Sequence, residues 1–556
     1  MAEKARPTVS SALEAFYQRE RAHPEKVYLV QPLADGSAVS YTWAAVGDQA
    51  RRMSAYLRSL DLPVGSHIGL LSRNCAHWII ADLAIWMAGH VSVPVDPTLT
   101  ADSVRQVLEH ADCRVIFVGK LDNWQTLRAG LPEALPWVAL PLAPEDPHLL
   151  PWQSLVDASE PSADDHAVDP QSVATIIYTS GTSGVPKGVM LSFASMYYAA
   201  NNGLRLFTIT EDDRLLSYLP LSNVAERQFV EIASLLSGQT IYFVHSAQTF
   251  VEDNRRARPT VFFGVPRIWL KLQQSVLQRV PGALLKAAVG IPLVGTALAR
   301  QVLERLGFDQ IRYAVSGAAP IDDQLLLWYH SLGLSLVEIY GMTENAGYSH
   351  LGRPKRFKSG WIGLPNPGVE CRLSADGELL VRSPANMLGY YKDPARTAEA
   401  LDEDGFLHTG DCGEIDNEGF LRITGRRKDI FKTSKGRYVA PGPIEKRLLA
   451  HPYIEQACVV GTHLPQPIAL VRLEEQTTAG INPVRVEETL SAALLKLNAE
   501  LNRQEQLACL VVIADAWTVE DGFLTPTLKL KRHVVEATYQ DQLEFWSVSG
   551  RTIVVQ

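Results

Sequence analysis

The chain has 556 residues, 46% of them hydrophobic and 20% charged, which is the composition of a folded multi-domain protein and too long for a single core. A net charge of −9 and a pI of about 5.9 exclude a nucleic-acid-binding surface spread over the whole molecule. Six cysteines (Cys75, Cys113, Cys371, Cys412, Cys458 and Cys509) lie far apart with no CxxC pair, a pattern of free thiols rather than of zinc sites or disulfides.

The first twenty residues have no apolar run behind their charges, so no signal peptide is expected there. From His67 the pattern alternates: strand HIGLL, helix CAHWIIADLAIWMAGH, strand VSVPV, polar helix SVRQVLEHA and strand RVIFVG. This rhythm predicts parallel sheets covered by helices. The stretch Trp78 to Val95 is long enough for a membrane span, but Asp82 and the following Pro-Val-Asp-Pro turn read as a buried helix entering a strand. Pro144 to Pro170 reads as a loop leading into the strand VATIIY. Near Arg426 the chain turns basic (GRRKDIFKTSKGRYVAP), and the remainder has its own strand and helix signals. The expected division is a large domain over 1–426 and a small mobile domain over 427–556.

After VATIIY comes Tyr178-Thr-Ser-Gly-Thr-Ser-Gly-Val-Pro-Lys-Gly-Val-Met190, followed by a helix predicted to begin near Ser192. Backbone N–H groups and hydroxyls of Thr179, Ser180, Gly181, Thr182, Ser183 and Gly184, with the charge of Lys187, suit a polyphosphate. The spacing is not that of a Walker A loop. Further along come SGAAP at 316–320 after the strand IRYAV, YGMTEN at 340–345 after LSLVEIY, and TGD at 409–411 before a hairpin closed by Arg426. Lys435-Gly436-Arg437-Tyr438 and LTPTLKLKR at 524–532 complete the series.

YTSGTSGVPKG, with the other motifs in this order, resembles the adenylate-forming superfamily of acyl-CoA synthetases, luciferases and peptide-synthetase adenylation domains. The likeness extends from about Leu71 to Arg532 and is strongest to the long-chain fatty acyl-CoA synthetase branch. It implies an α/β fold: a large N-terminal domain of parallel and mixed sheets covered by helices, a small barrel-like subdomain, and a mobile α+β C-terminal domain. By resemblance, Gly317, Ala318 and Ala319 line the adenine and Tyr340 stacks on it, with Gly341 and Met342 beside it. Thr343 contacts the α-phosphate, Glu344 holds Mg²⁺ with Thr179 as a weaker candidate, and Asp411 accepts from both ribose hydroxyls. Ile423 and Arg426 border the nucleotide, Lys428 is the hinge, Lys435 and Gly436 line the pantetheine tunnel, and Lys529 neutralises charge as the carboxylate attacks.

The resemblance implies ATP, Mg²⁺ and coenzyme A as reactants and cofactor, a carboxylic acid as substrate, and a cytoplasmic enzyme without nucleic-acid partners. Peripheral membrane association and a homodimer are further expectations. Two departures bear on the substrate. Asn223 stands where the family often has His, and the stretch between VPRIW and SGAAP is shorter than in the long-chain branch, though it keeps the apolar patch ALLKAAVGIPLVGTALA. Lys435 replaces a second glycine. Three alternatives follow: transfer to a carrier-protein pantetheine or a luciferase-like reaction, an aromatic or bulky acid, and a silent nucleotide-binding homologue. Retention of Lys187, Glu344, Asp411, Arg426 and Lys529 opposes the last.

Overall fold

The computed structural model describes residues 10–179, 187–278, 294–353, 356–478, 480–518, 521–524 and 530–556. The predicted alternation is present in order: strand His67–Leu71, helix Ala76–Met87, strand Val91–Val95, helix Ala101–His110 and strand Cys113–Val118. These strands pair in parallel, with Leu71 opposite both Val95 and Val118. They belong to an eight-stranded sheet, one edge of which runs Val173–Thr179, Lys187–Ser192, Gly389–Tyr390.

A second sheet has nine strands and is parallel through its centre, where Tyr313–Ser316 lies between Val261–Gly264 and Leu336–Tyr340. Toward its far edge Val27–Pro32 pairs in parallel with Thr240–Phe243 and antiparallel with the edge strand Ala38–Thr42. A separate antiparallel sheet has four strands, Glu370–Leu373, Glu378–Arg382, Leu407–Ile415 and Leu421–Arg426. The last sheet is formed within the C-terminal portion by Ile454–Val460, Ile468–Leu473, Leu510–Val512 and Ile553–Val555. It has its own core, including Val459, Val471, Leu490 and Leu510.

Helix Ala76–Met87 is buried on every side, which its continuous hydrophobicity requires. Its one acid, Asp82, is fully buried and accepts from the Arg227 guanidinium at 2.6 Å. Arg227 lies over the rings of Trp78 and Trp86 and reaches Glu231 at 3.4 Å, so two carboxylates share one cation in the core. Burial and the neighbouring Asp82 push the Glu231 carboxyl far above the usual range. No helix among the described residues is long and apolar enough to cross a membrane.

One local expectation is corrected. The segment read as a loop, Pro144 to Pro170, contains the strand Leu149–Pro151 and the helix Trp152–Ala158. Trp152 is buried there and its indole donates to Gln49, so one aromatic anchor overrides the turn-rich composition. The apolar patch at 283–299 lies outside the described residues up to 293; from there the helix Val294–Leu306 is formed. Five of the six thiols are buried and Cys371 is partly so, all of them free.

Candidate functional site

Ser192 caps the helix Phe193–Arg205 through a reciprocal capping box with Ser195, placing its start where the sequence did. Residues 187–192 form a strand antiparallel to Val173–Thr179, with Thr179 opposite Lys187 and Tyr178 opposite Gly188. The candidate phosphate loop therefore joins two strands of a hairpin and does not open onto a helix N-terminus. Ser180, Gly181, Thr182, Ser183 and Gly184 lie outside the described residues, as does Lys529.

Lys187 is half-buried, and burial lowers the pKa of its ammonium, with the charge of Glu344 acting in the opposite sense. Lys428 and Arg396 also act on it as like charges, so three cations share this end of the site. Glu344 lies in the 3₁₀ turn Thr343–Asn345 and is only 9% exposed. Its Oε1 accepts from the Tyr390 hydroxyl at 2.8 Å. Among the described residues no cluster of three His, Cys, Asp or Glu side chains is placed to hold a metal ion. A single carboxylate such as Glu344, with the Lys187 charge acting on it, nevertheless fits Mg²⁺, which keeps waters and takes substrate phosphates as its other ligands.

Four residues before Glu344 stands Tyr340, the last residue of the strand Leu336–Tyr340. Its hydroxyl donates to Asp411 Oδ2 at 2.7 Å, and Arg426 Nε pairs with Asp411 Oδ1 at 3.1 Å. Asp411 and Arg426 face each other because they are paired residues of the predicted hairpin, with Ile423 opposite Gly413. Asp411 is 5% exposed, and its charge raises the pKa of Arg426. Burial, then Asp411, pushes the Tyr340 phenol well up, so it stays a donor. Each Asp411 oxygen retains a further lone pair for a diol.

Gly341 and Gly317 are fixed by packing. A Cβ on Gly341 would lie 2.4 Å from the backbone of Gly347, and one on Gly317 would lie 2.6 Å from Ile339. At Gly317 the expected open approach for a flat base is thus filled by Ile339; Ala318 and Ala319 are exposed instead, with Ala318 at φ +67°. Met342 and Thr343 lie between Tyr340 and Glu344, half-buried. Asn223 accepts from the Ala225 N–H at 2.9 Å, capping a short turn.

Lys435 and Gly436 are exposed at the tip between Phe431–Lys432 and Tyr438–Val439. The left-handed position is Gly436, at φ +75°, and Lys435 takes an ordinary φ. Replacement of a glycine by Lys435 therefore costs this turn no conformation it uses.

Tyr390 and Arg396 were not singled out from the sequence. Nor was Glu338, on the strand that ends in Tyr340. Its carboxyl is pushed up to about 7 by burial, opposed by Lys446 of the C-terminal portion. Lys446 is 3.3 Å from Asp323, and Arg267 is 2.5 Å from Glu455.

Residues 16–391 match the family model described as AMP-binding enzyme, and residues 428–546 match that of the AMP-binding enzyme C-terminal domain. The long-chain-fatty-acid–CoA ligase FadD15 of Mycobacterium bovis is 32% identical over 581 aligned residues, covering 95% of each chain. Long chain acyl-CoA synthetase 6, peroxisomal, of Arabidopsis thaliana is 30% identical, covering 90% of this chain and 80% of that one. Among solved structures, the anthranilate CoA ligase AuaEII with anthranoyl-AMP superposes with a TM-score of 0.78 at 20% identity, covering 97% of this chain and 99% of that one. The A domain of the carboxylic acid reductase from Segniliparus rugosus, with AMP, gives 0.80 at 23% identity, covering 98% and 95%.

Proposed function

The chain belongs to the AMP-binding enzyme family, and from that premise we propose that it is an ATP-dependent carboxylic acid–CoA ligase acting on a long-chain fatty acid. One observation carries the proposal. One short segment, 340–344, has the Tyr340–Asp411–Arg426 group at one end and Glu344 with Lys187 at the other. That arrangement matches the two ends of a nucleotide, a ribose diol and a phosphate chain. The names of the relatives, which span nearly the whole chain, support CoA as acceptor and the long-chain acid.

In this reading the acid's carboxylate attacks the α-phosphorus of ATP, giving acyl-AMP and pyrophosphate; the CoA thiol then attacks the acyl carbon and AMP leaves. Asp411 accepts from the ribose hydroxyls, Tyr340 lies against the adenine, and Ala318 and Ala319 edge it. Thr343, Lys187 and the 180–184 loop bind the phosphates, and Lys529 neutralises the attacking carboxylate and the α-phosphate. Mg²⁺, held by Glu344, would supply charge neutralisation of the phosphate oxygens. The chain itself provides positioning and preorganised charge, and no covalent enzyme intermediate is required.

We place the domain boundary at 426/427, with Lys428 as the pivot, and the acceptor thiol near the Lys435–Gly436 turn. The test is pyrophosphate release over acids of graded chain length, with and without CoA. The expected result is release that peaks with long-chain acids, and consumption of free CoA. Wild-type protein that never consumes free CoA refutes the ligase reading, and a preference for aromatic acids refutes the long-chain one. Lys529→Ala should lose acyl-AMP formation and retain thioesterification of supplied acyl-AMP; equal loss in both assays removes its assigned role.

A further inference from the structure

Tyr390 occupies the junction between the two groups at the phosphate end of the site. Its hydroxyl donates to Glu344 Oε1 at 2.8 Å, and its ring lies 4.8 Å beneath the Lys187 ammonium. Tyr390 and Glu344 are 7% and 9% exposed, so the hydrogen bond between them is shielded from solvent, while Lys187 is half-buried.

The backbone around Tyr390 is fixed from both sides. Gly389 and Tyr390 pair with Met190 and Val189, three and two residues beyond Lys187. The flanking amides of Leu388 and Tyr391 donate to Met190 and Gly188 at 2.9 and 2.8 Å. From the other side, the Tyr390 N–H donates to Thr397 Oγ1 at 2.9 Å, on the helix Pro394–Ala400 capped by Asp393. Gly389 has φ +146°, and a Cβ there would lie 2.8 Å from Thr397, so the approach admits only glycine. The Met387 N–H also donates to the Glu344 carbonyl at 2.8 Å, so one short segment holds the acid by backbone and by side chain.

We propose that Tyr390 is a positioning residue that orients the Glu344 carboxylate and the Lys187 ammonium together for the metal-bound triphosphate. The hydroxyl engages one carboxylate oxygen and fixes the plane in which the other presents its lone pairs. The ring face holds the ammonium without neutralising it, as a carboxylate partner would, so its charge remains available to a phosphate. The hydroxyl is the donor in this contact, since a carboxylate only accepts. The proposal rests on the reading of Glu344 as the Mg²⁺ carboxylate.

The experiment is calorimetric binding of MgATP, and of ATP in the presence of a chelator, to the full-length protein. Tyr390→Phe keeps the ring and removes the donor. It should weaken MgATP roughly tenfold, the loss of one hydrogen bond to a charged group, and leave metal-free ATP unchanged. Tyr390→Leu removes the ring as well and should also weaken metal-free ATP, by about threefold. In a Glu344→Gln background, Tyr390→Phe should have no further effect, because the two residues act as one unit. Unchanged MgATP affinity in Tyr390→Phe, equal weakening with and without metal, or additivity with Glu344→Gln each overturn the proposal alone. A wild type indifferent to Mg²⁺ overturns the metal reading of Glu344 and the proposal with it.

Discussion

Glu338→Gln isolates a charge placed where the two portions of the chain meet. The carboxyl lies on the strand that delivers Tyr340, accepts from the Ile321 N–H at 3.4 Å, and faces Asp323 and Lys446. Burial raises it from 4.5 to about 7. A carboxyl raised on folding takes up protons in the folded state. Its stabilising contribution is therefore complete below the unfolded value and is lost as pH rises through the folded one. Between pH of about 5.5 and about 8.5, this group alone should lower wild-type stability by about 2 kcal/mol. Glutamine keeps the shape, cannot titrate, and removes that slope. Urea unfolding of both proteins across this range, followed by tryptophan fluorescence, gives the difference, in which protons bound elsewhere cancel. Parallel pH profiles for the two proteins would refute the argument. So would a difference of opposite sign, with the wild type gaining on the variant as pH rises.

Four further outcomes follow from the same geometry. Arg227→Leu strands Asp82 and Glu231 in the core and should cost about 3–5 kcal/mol, whereas leucine at all three positions should recover most of that loss; thermal unfolding distinguishes them. Asp411→Asn leaves Arg426 without its anion and a ribose with a poorer acceptor, so the KM for ATP should rise roughly 10- to 100-fold in pyrophosphate-exchange assays. Gly436→Val forces a β-branched residue to φ +75° and should raise the KM for CoA while sparing adenylation. Lys435→Gly should leave the KM for CoA within about twofold, since the turn makes no conformational demand at that position.

Elements governed by local chemistry were legible in the sequence. Ser192 announced its helix by cap chemistry, and the Asp-Asn-Glu-Gly turn fixed the hairpin that sets Asp411 opposite Arg426. The burial of the helix around Asp82 followed from its continuous hydrophobicity, though the identity of Arg227 as partner, 145 residues away, did not. What escaped notice depends on long-range register. Tyr390 follows Glu344 by 46 residues and reaches it only because a two-residue strand docks beside Val189 and Met190. Nothing in the period or composition of so short a strand encodes its partner. The strand Lys187–Ser192 after the candidate phosphate loop was missed because a run as short as Val-Met-Leu does not set a strand apart by its period. Glu338 reads as an ordinary strand acid until Lys446 is brought opposite it from the C-terminal portion.

The pairing of Val27–Pro32 with Thr240–Phe243 also has a meaning in time. Leu29 leaves the ribosome 212 residues ahead of Ile241 (241 − 29), its neighbour in the finished sheet. At about 5–20 residues per second, that interval is roughly 10–40 s. Through it the first strand has only its hairpin partner Ala38–Thr42 on one side, while Tyr28 and Leu29, destined for complete burial, have no sheet to join. An edge in that condition is a template for association with other nascent chains. Synthesis of this protein should therefore draw on chaperones early, and substitutions that weaken the 27–42 hairpin should lower yield more than they lower the stability of molecules that finish folding.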